Sequence, residues 1–496
     1  VLVDEEWPIG SLRQGNVEPC LIGAESQGGR IKAKFYGQID HAALWDRALT
    51  DKEIAALSGG AERVAAREKE ILGEPSPHMQ YWRPRGHNAS LGDCMPFYHD
   101  GRFHLFYLFD RRHHGSKWGL GAHQWAHAST TNLVHWKHHP MAIPITEQWE
   151  GSICTGSAFF HDDKYYGFYA TRKTDRTQHL GLAVSTDGVR FQKTEPNPFA
   201  SPAEGYDPLH YRDPKVFQDE STGLFHMLVT ARLADDRGGC LAQLVSKDLK
   251  TWKVVEPFLI PGRVTDCPDY FEWNGWYYLM AEYVYWTSRN PLGPWTQPTP
   301  DRLDVLYVPK TAAFADNRRI YASWLPDGGW GGNLVFRELV QHDDGMLGTK
   351  FPPEMIPETG DPVDVRIEPL TEGVSVRGNA IGISAPDGFR AAILAGVPDD
   401  FRITLRAHPK PSASYFGLCV RGGGRYQQGC ELRFEPFQER IQFGTPKDGG
   451  VGDETGRAIS HVKGLGGPFT VDLVVKDDVV DACICLLYTS PSPRDQ

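Results

Sequence analysis

Three short stretches set a carboxylate beside a proline-stiffened entrance to an apolar run: Ser90-Leu-Gly-Asp93-Cys-Met-Pro-Phe, Tyr211-Arg212-Asp213-Pro-Lys-Val-Phe and Thr265-Asp266-Cys-Pro-Asp269-Tyr-Phe. A single Asp before Pro is ordinarily a turn or cap residue. Acids that enter separate strand patterns in the same way can meet in one pocket. Such a meeting suits glycoside chemistry, where one carboxylate serves as nucleophile or base and a second, with a raised pKa, protonates the leaving oxygen. Asp269, Glu282 and Glu150 are further acids that could face the same pocket. Among Trp82, Trp118, Trp125 and Trp149, Trp125 is the one expected to line it, because an aromatic face stacks on a sugar ring. His113, His114, His123, His127, His135, His138 and His139 crowd one region, but no pair has the His-Glu-x-x-His spacing, so rim and core roles are expected and no metal. The nine cysteines show no CxxC and no repeated Cys/His spacing, which argues against a disulfide scaffold or a zinc site.

The elements that must hold these residues repeat. From about 95 to 345 a turn with a polar or glycine tip is followed by an aromatic alternating strand. The five copies begin at Asp100, Asp162, Ser221, Trp273 and Asp316. Between them falls a second pattern, Ser129-Thr-Thr-Asn-Leu-Val-His-Trp136, Ser185-Thr-Asp-Gly-Val-Arg-Phe191, Ser246-Lys-Asp-Leu-Lys-Thr-Trp252 and Ser288-Arg-Asn-Pro-Leu-Gly-Pro-Trp295. Multi-strand repeats of about 40 to 60 residues are the signature of propeller blades. The chain is therefore expected to be all-β, with a five-bladed β-propeller over 76–355 whose inner strands converge on an axial pocket. A large β-sandwich with similar hairpins is the alternative.

The flanks differ. Residues 356–484 alternate Val, Ile and Leu with polar residues and lack the propeller repeat, as in Phe401-Arg-Ile-Thr-Leu-Arg, which predicts a C-terminal β-sandwich short of its closing strands. Residues 59–75 read as a helical linker, with Ala61–Leu72 rich in Ala, Glu and Arg. In 1–58 an alternating strand from Lys32 leads into a short helix capped by Thr50, with Glu53 at its third position. This segment resembles the closing part of a concanavalin-like (laminin-G-like) jelly roll, and a hairpin plus helix packed on the next domain is the alternative. Residues 485–496 are expected to be a non-native tail.

Composition sets limits. Lys plus Arg at 52 against Asp plus Glu at 63 gives a net charge of −11, without the basic footprint that nucleic acid or an anionic membrane would attract. No run of about 18 apolar residues occurs, so no membrane insertion is expected. The start at Val1, without Met or a leader pattern, leaves a signal peptide undecided, with an extracytoplasmic location favoured.

Taken in order, the acid boxes resemble those of glycoside hydrolase family 32, which includes invertases, levanases and inulinases. Trp125-Ala-His-Ala-Ser-Thr-Thr-Asn-Leu-Val-His-Trp136 and Cys154-Thr-Gly-Ser157 are similar to further family segments. The resemblance implies a five-bladed propeller joined to a β-sandwich and a retaining cleavage of β-fructofuranosidic bonds in an oligo- or polysaccharide, without a cofactor. It makes Asp93 the nucleophile, Arg212 and Asp213 the grip on fructosyl hydroxyls and the transition state, and Asp266 the general acid/base. Trp125, Ser157 and Asp269 are expected to contact substrate. Two departures stand out. Gly92-Asp93-Cys94-Met95-Pro96 replaces the usual Asn-Asp-Pro-Asn-Gly, and Asp266 stands where the family has Glu, one methylene longer. A related furanosidase acting on arabinofuranosides or xylosides, or a carbohydrate-binding propeller without catalysis, are the alternatives.

Overall fold

The computed structural model describes Glu25–Gln27, Arg30–Lys32, most of 43–85, then 89–110 and 123–486, apart from short gaps at 148, 236, 264, 328, 411, 424–427 and 447–453. Five antiparallel sheets follow one another along the chain, each with its strands side by side in sequence order. Blade I comprises Ser90–His99, Arg102–Asp110, Gln124–Thr130 and Lys137–His138, and blade II comprises Glu150–His161, Lys164–Lys173, Gln178–Ser185 and Gln192–Lys193. Blade III comprises Tyr206–Asp219, Leu224–Leu233, Gly239–Ser246 and Lys253–Gly262. Blade IV has Asp269–Trp273, Trp276–Ala281 and Val284–Ser288, extended by a bridge from Thr287 to Thr296. Blade V has Tyr307–Phe314, Arg318–Pro326, Gly332–Gln341 and Leu347–Lys350. The first strand of each blade touches the first strands of both neighbours, closing a ring around the axis.

The aromatic runs have a physical reason. A blade is covered on both faces, so alternate side chains of one strand feed two different cores. Phe103, Leu105, Tyr107 and Phe109 pack with Phe314 and Phe336 of blade V. Phe106 and Leu108, between them in sequence, pack with Ile153 and Tyr169 of blade II. The second repeat forms a turn after the third strand of blades I to IV. Ser185 Oγ donates to Asp187, whose carboxylate accepts the Val189 and Arg190 amides at 2.9 and 2.8 Å. Ser246 and Asp248 build the same turn. In blade I the matching pair is Thr130 and Asn132, one residue later than the Ser129 alignment expected, which puts Trp136 in step with Phe191 and Trp252. The segment before blade I closes the ring: the Tyr81 amide donates to the Leu334 carbonyl of blade V, and the Leu334 amide to Trp82, both at 2.9 Å.

A β-sandwich follows. One sheet holds Phe401–Ala407, Phe469–Lys476 and Val479–Leu486, and the other Phe416–Gly423, Gln428–Glu435, Arg440–Gly444 and Glu454–Ile459. Leu432, Phe434, Phe469, Val471 and Leu473 form its core. Cys485 and Leu486 pair with Thr470 and Phe469, so the first two residues of the expected tail belong to the last strand, and 487–496 lie outside the described residues. Propeller and sandwich form one compact unit. Buried Arg337 of blade V bonds Asp481 of the sandwich and Asp304, and the Tyr81 hydroxyl donates to the same Asp481 at 2.7 Å.

The N-terminal residues form a separate unit. Its helix, Asp51–Ser58, carries the expected capping box: the Glu53 amide donates to Thr50 Oγ1 at 3.3 Å and the Thr50 amide to Glu53 Oε2 at 2.9 Å. Glu25–Gln27 pairs with Arg30–Lys32, while 33–42, where the jelly-roll strand was expected, lie outside the described residues. In the linker Arg63, Ala66, Lys69 and Glu70 are helical.

Candidate active site

The innermost strands break their register at one end of the axis. In blade I the break lies between Gly92 and Cys94 and leaves Asp93 unpaired, with φ of 28°. In blade II it lies between Ile153 and Gly156, around Cys154 and Thr155. In blade III it falls between Arg212 and Lys215, with Asp213 at φ 58°, and in blade V between Tyr307 and Lys310. Blade IV contributes Cys267, at φ 52°, just before its first strand. A residue left out of the ladder turns its side chain toward the axis instead of into an interblade core, and a left-handed non-glycine backbone is tolerated where the surroundings over-determine it.

The result is one cavity of about 870 Å³, whose wall includes Asp93, Asp213 and Asp266, the only carboxylates among its described lining residues. Thr155 Oγ1 donates to Asp93 Oδ2 at 2.9 Å, and Trp324 Nε1 to Asp93 Oδ1 at 3.2 Å. Burial, with Asp213 alongside, nevertheless pushes the Asp93 carboxyl up to about 6. Asp213 is buried and accepts the Cys267 amide at 3.1 Å. Arg212 reaches Asp213 at 3.5 Å and forms a short ion pair with Asp266. Burial pushes the Asp266 carboxyl up against the pull of Arg212. The cavity thus holds one half-buried carboxylate gripped on both oxygens, and a second one whose proton is favoured by burial and opposed by a guanidinium.

The other expected contacts lie off the cavity wall. Trp125 is fully buried and donates from Nε1 to the Cys154 carbonyl at 2.8 Å, so it tethers blade I to blade II. Ser157 donates to the Pro214 carbonyl at 2.9 Å and accepts the Val216 amide at 3.1 Å, fixing the Arg212-Asp213-Pro214 corner. Asp269 is fully buried, pairs with Lys215 at 2.7 Å and accepts two 2.8 Å bonds from Thr311; burial raises its pKa, but Lys215 and Arg319 outweigh that and hold it below the usual carboxylate range. These three residues are structural ties because their polar atoms are spent on neighbouring blades.

The spare acids fare likewise. Glu150 is buried against Lys193 at 2.6 Å. Glu282 stands behind Asp266, its amide donating to the Asp266 carbonyl at 2.7 Å, and does not line the cavity. His113, His114 and Trp118 lie outside the described residues. His104, His127 and His139 stack inside blade I, with His104 Nδ1 3.0 Å from His127 Nε2, and no cluster of three His, Cys, Asp or Glu among the described residues could hold a metal.

Thr155, Trp324, Trp330, Tyr307 and Gln178 also line the cavity, without standing out in the sequence, and so does His123 from the histidine-rich stretch. Thr155 lies inside the Cys154-Thr-Gly-Ser157 segment, but nothing local marks the two tryptophans, of which Trp324 donates to Asp93 from 231 residues away.

Residues 94–303 match the glycosyl hydrolases family 32 N-terminal domain. The matched segment, which spans most of the propeller, is similar to glycoside hydrolase family 32. The chain is 29 % identical over 222 residues to a sucrose-6-phosphate hydrolase of Bacillus subtilis, covering 42 % of this chain and 44 % of that protein. It is 27 % identical over 410 residues to a levanase of the same species, covering 71 % of this chain and 56 % of that one. The chain thus spans about half the length of these two curated relatives. An exo-inulinase from Aspergillus awamori shares the fold with a TM-score of 0.60 at 17 % identity, over 82 % of this chain and 90 % of that one.

Proposed function

We propose that the protein is a retaining glycosidase that cleaves β-fructofuranosidic bonds in sucrose-like oligosaccharides or fructans. The observation that carries the reading is the meeting of Asp93, Asp213 and Asp266, from three different blades, in one cavity lined also by Arg212. The ionised Asp93 attacks the anomeric carbon of the fructosyl unit as the glycosidic carbon–oxygen bond breaks. The Asp266 proton passes to the leaving oxygen, and a fructosyl ester on Asp93 results. Water then attacks the same carbon, giving its proton to Asp266 and freeing Asp93. Arg212 and Asp213 hold the fructosyl hydroxyls and steady the charge that develops on the ring. Arg212 bonds Asp266 on the cavity wall and so fixes the direction of its shorter arm. The relatives named as sucrose-6-phosphate hydrolase and levanase support the substrate class, and Arg172 and Arg176 on the cavity wall make a phosphorylated leaving group a member of the panel to test.

The experiment is fructose release from sucrose, sucrose 6-phosphate, inulin, levan and short fructo-oligosaccharides by the full chain, with Asp93→Asn and Asp266→Asn alongside. Release that vanishes in the first variant and falls by a factor on the order of 10² to 10⁴ in the second is expected. Release that survives Asp266→Asn unchanged would remove the acid role from that residue. A folded protein that releases fructose from none of these substrates would overturn the substrate class and direct the search to arabinofuranosides.

A further inference from the structure

Residue 92, immediately before Asp93, is a glycine, and the place its side chain would occupy is filled from elsewhere. A Cβ built on Gly92 would lie 2.7 Å from Cζ2 and 2.9 Å from Cε2 of Trp330. Real Cβ atoms do not approach other atoms so closely, so the indole and any side chain at 92 exclude each other. The loop carrying Trp330 is built for this approach. Gly331 has φ of 89°, and a Cβ there would meet the Leu91 carbonyl oxygen at 2.8 Å; one on Gly332 would meet the Leu325 oxygen at 1.9 Å. Trp330 is stacked at 4.1 Å on His123, and its ring centroid is 5.9 Å from that of Trp324, which donates to Asp93 and is itself stacked at 5.1 Å on the half-exposed Tyr307. All four rings lie on the cavity wall, whose charged members are Asp93, Arg172, Arg176, Arg212, Asp213 and Asp266.

We infer that Gly92 and Trp330 form an interlocked specificity pair, in which the indole takes the apolar C–H face of the sugar ring seated on Asp93. The glycine makes room for the ring, and the ring turns the flank of the nucleophile from a hydrogen-bonding surface into a stacking one. Substrate at this place is selected by the shape and apolar face of its ring rather than by a hydroxyl partner. This assignment rests on the glycosidase reading above, because it takes Asp93 as the group the sugar faces.

The test is steady-state kinetics of wild type, Trp330→Ala, Trp330→Phe, Gly92→Ala and the double variant Gly92→Ala/Trp330→Ala on the fructoside panel. Trp330→Ala should raise KM by about tenfold with kcat within about threefold, and Trp330→Phe should recover most of that loss because an aromatic face remains. Gly92→Ala should impair a chain that keeps Trp330 and add nothing to one that lacks it, the non-additivity expected of residues in contact. A KM unchanged in Trp330→Ala overturns the inference, as does a loss in kcat alone that Phe does not restore. Should wild type turn over no fructoside, that failure counts against the glycosidase reading, and dissociation constants of the same sugars measured by calorimetry then carry the comparison. Binding that Trp330→Ala leaves unchanged, or no binding at all, overturns the pair in that case too.

Discussion

The nucleophile candidate is placed at odds with its own ionisation. Buried beside Asp213, Asp93 is pushed up to about 6, while Thr155 and Trp324 donate to it and pull the other way. Since the attacking form is the carboxylate, kcat/KM should fall on the acid side with an apparent pKa near this value, read from a pH profile. Removing one donor should worsen the placement: Thr155→Val is expected to move the acid limb to higher pH, with the alkaline limb unchanged. Stability should carry the same signature. The folded pKa lies above the unfolded one, so the native state binds the extra proton between pH 4 and 6, and stability falls as pH rises through that window. Asp93→Asn should therefore be more stable than wild type at pH 7, by up to about 3 kcal/mol at 1.36 kcal/mol per pKa unit, less what solvent at the cavity mouth screens. The gain should disappear below about pH 4, as measured by urea unfolding at a series of pH values.

At the scale of elements, blades I to IV are stitched by the turn after the third strand, and all five by what the second strand buries. Ser246 is buried, and its Oγ accepts the Leu249 amide at 3.0 Å and the Asp248 amide at 3.2 Å. Ser246→Ala should cost about 1 to 2 kcal/mol in chemical unfolding, because buried amides lose their acceptor. Blade I carries a second, pH-dependent weakness. Burial pushes His104 and His139 down to about 4 and lowers His127 as well, aided by Arg102 and Lys137 and opposed at His139 by Asp187. The unfolded chain takes up these protons from about pH 6.5 downward while the blade refuses them. Stability should therefore drop between about 6.5 and 4, in the sense opposite to the Asp93 effect. Substituting His127 by Phe, which keeps the stack on Phe106, should flatten the decline seen in thermal melts across that range.

For the whole molecule, the propeller and the sandwich are joined through buried charge. Arg337 is 1 % exposed and is compensated by Asp304 and Asp481, the latter also holding Tyr81. Asp481→Asn should destabilise by about 3 kcal/mol, since a buried guanidinium loses one of two counter-charges. The propeller and its succeeding sandwich were legible in the chain because the hairpin tips are local and recur with each blade, the capped turns recur with the first four, and a strand covered on both faces writes an aromatic run. The three cavity acids stood out because each sits in a stiff segment at a strand entrance. Only the tertiary structure decided that Trp125, Ser157 and Asp269 spend their polar atoms on neighbouring blades, since a side chain's partner on the next blade leaves no mark near it in sequence. The same holds for the wall opposite the acids. The sequence by itself determined which residues could do the chemistry; ring closure, which brings Trp324 of blade V against Asp93 and Trp330 against Gly92 of blade I, decided what surrounds them, because a propeller joins its last blade to its first.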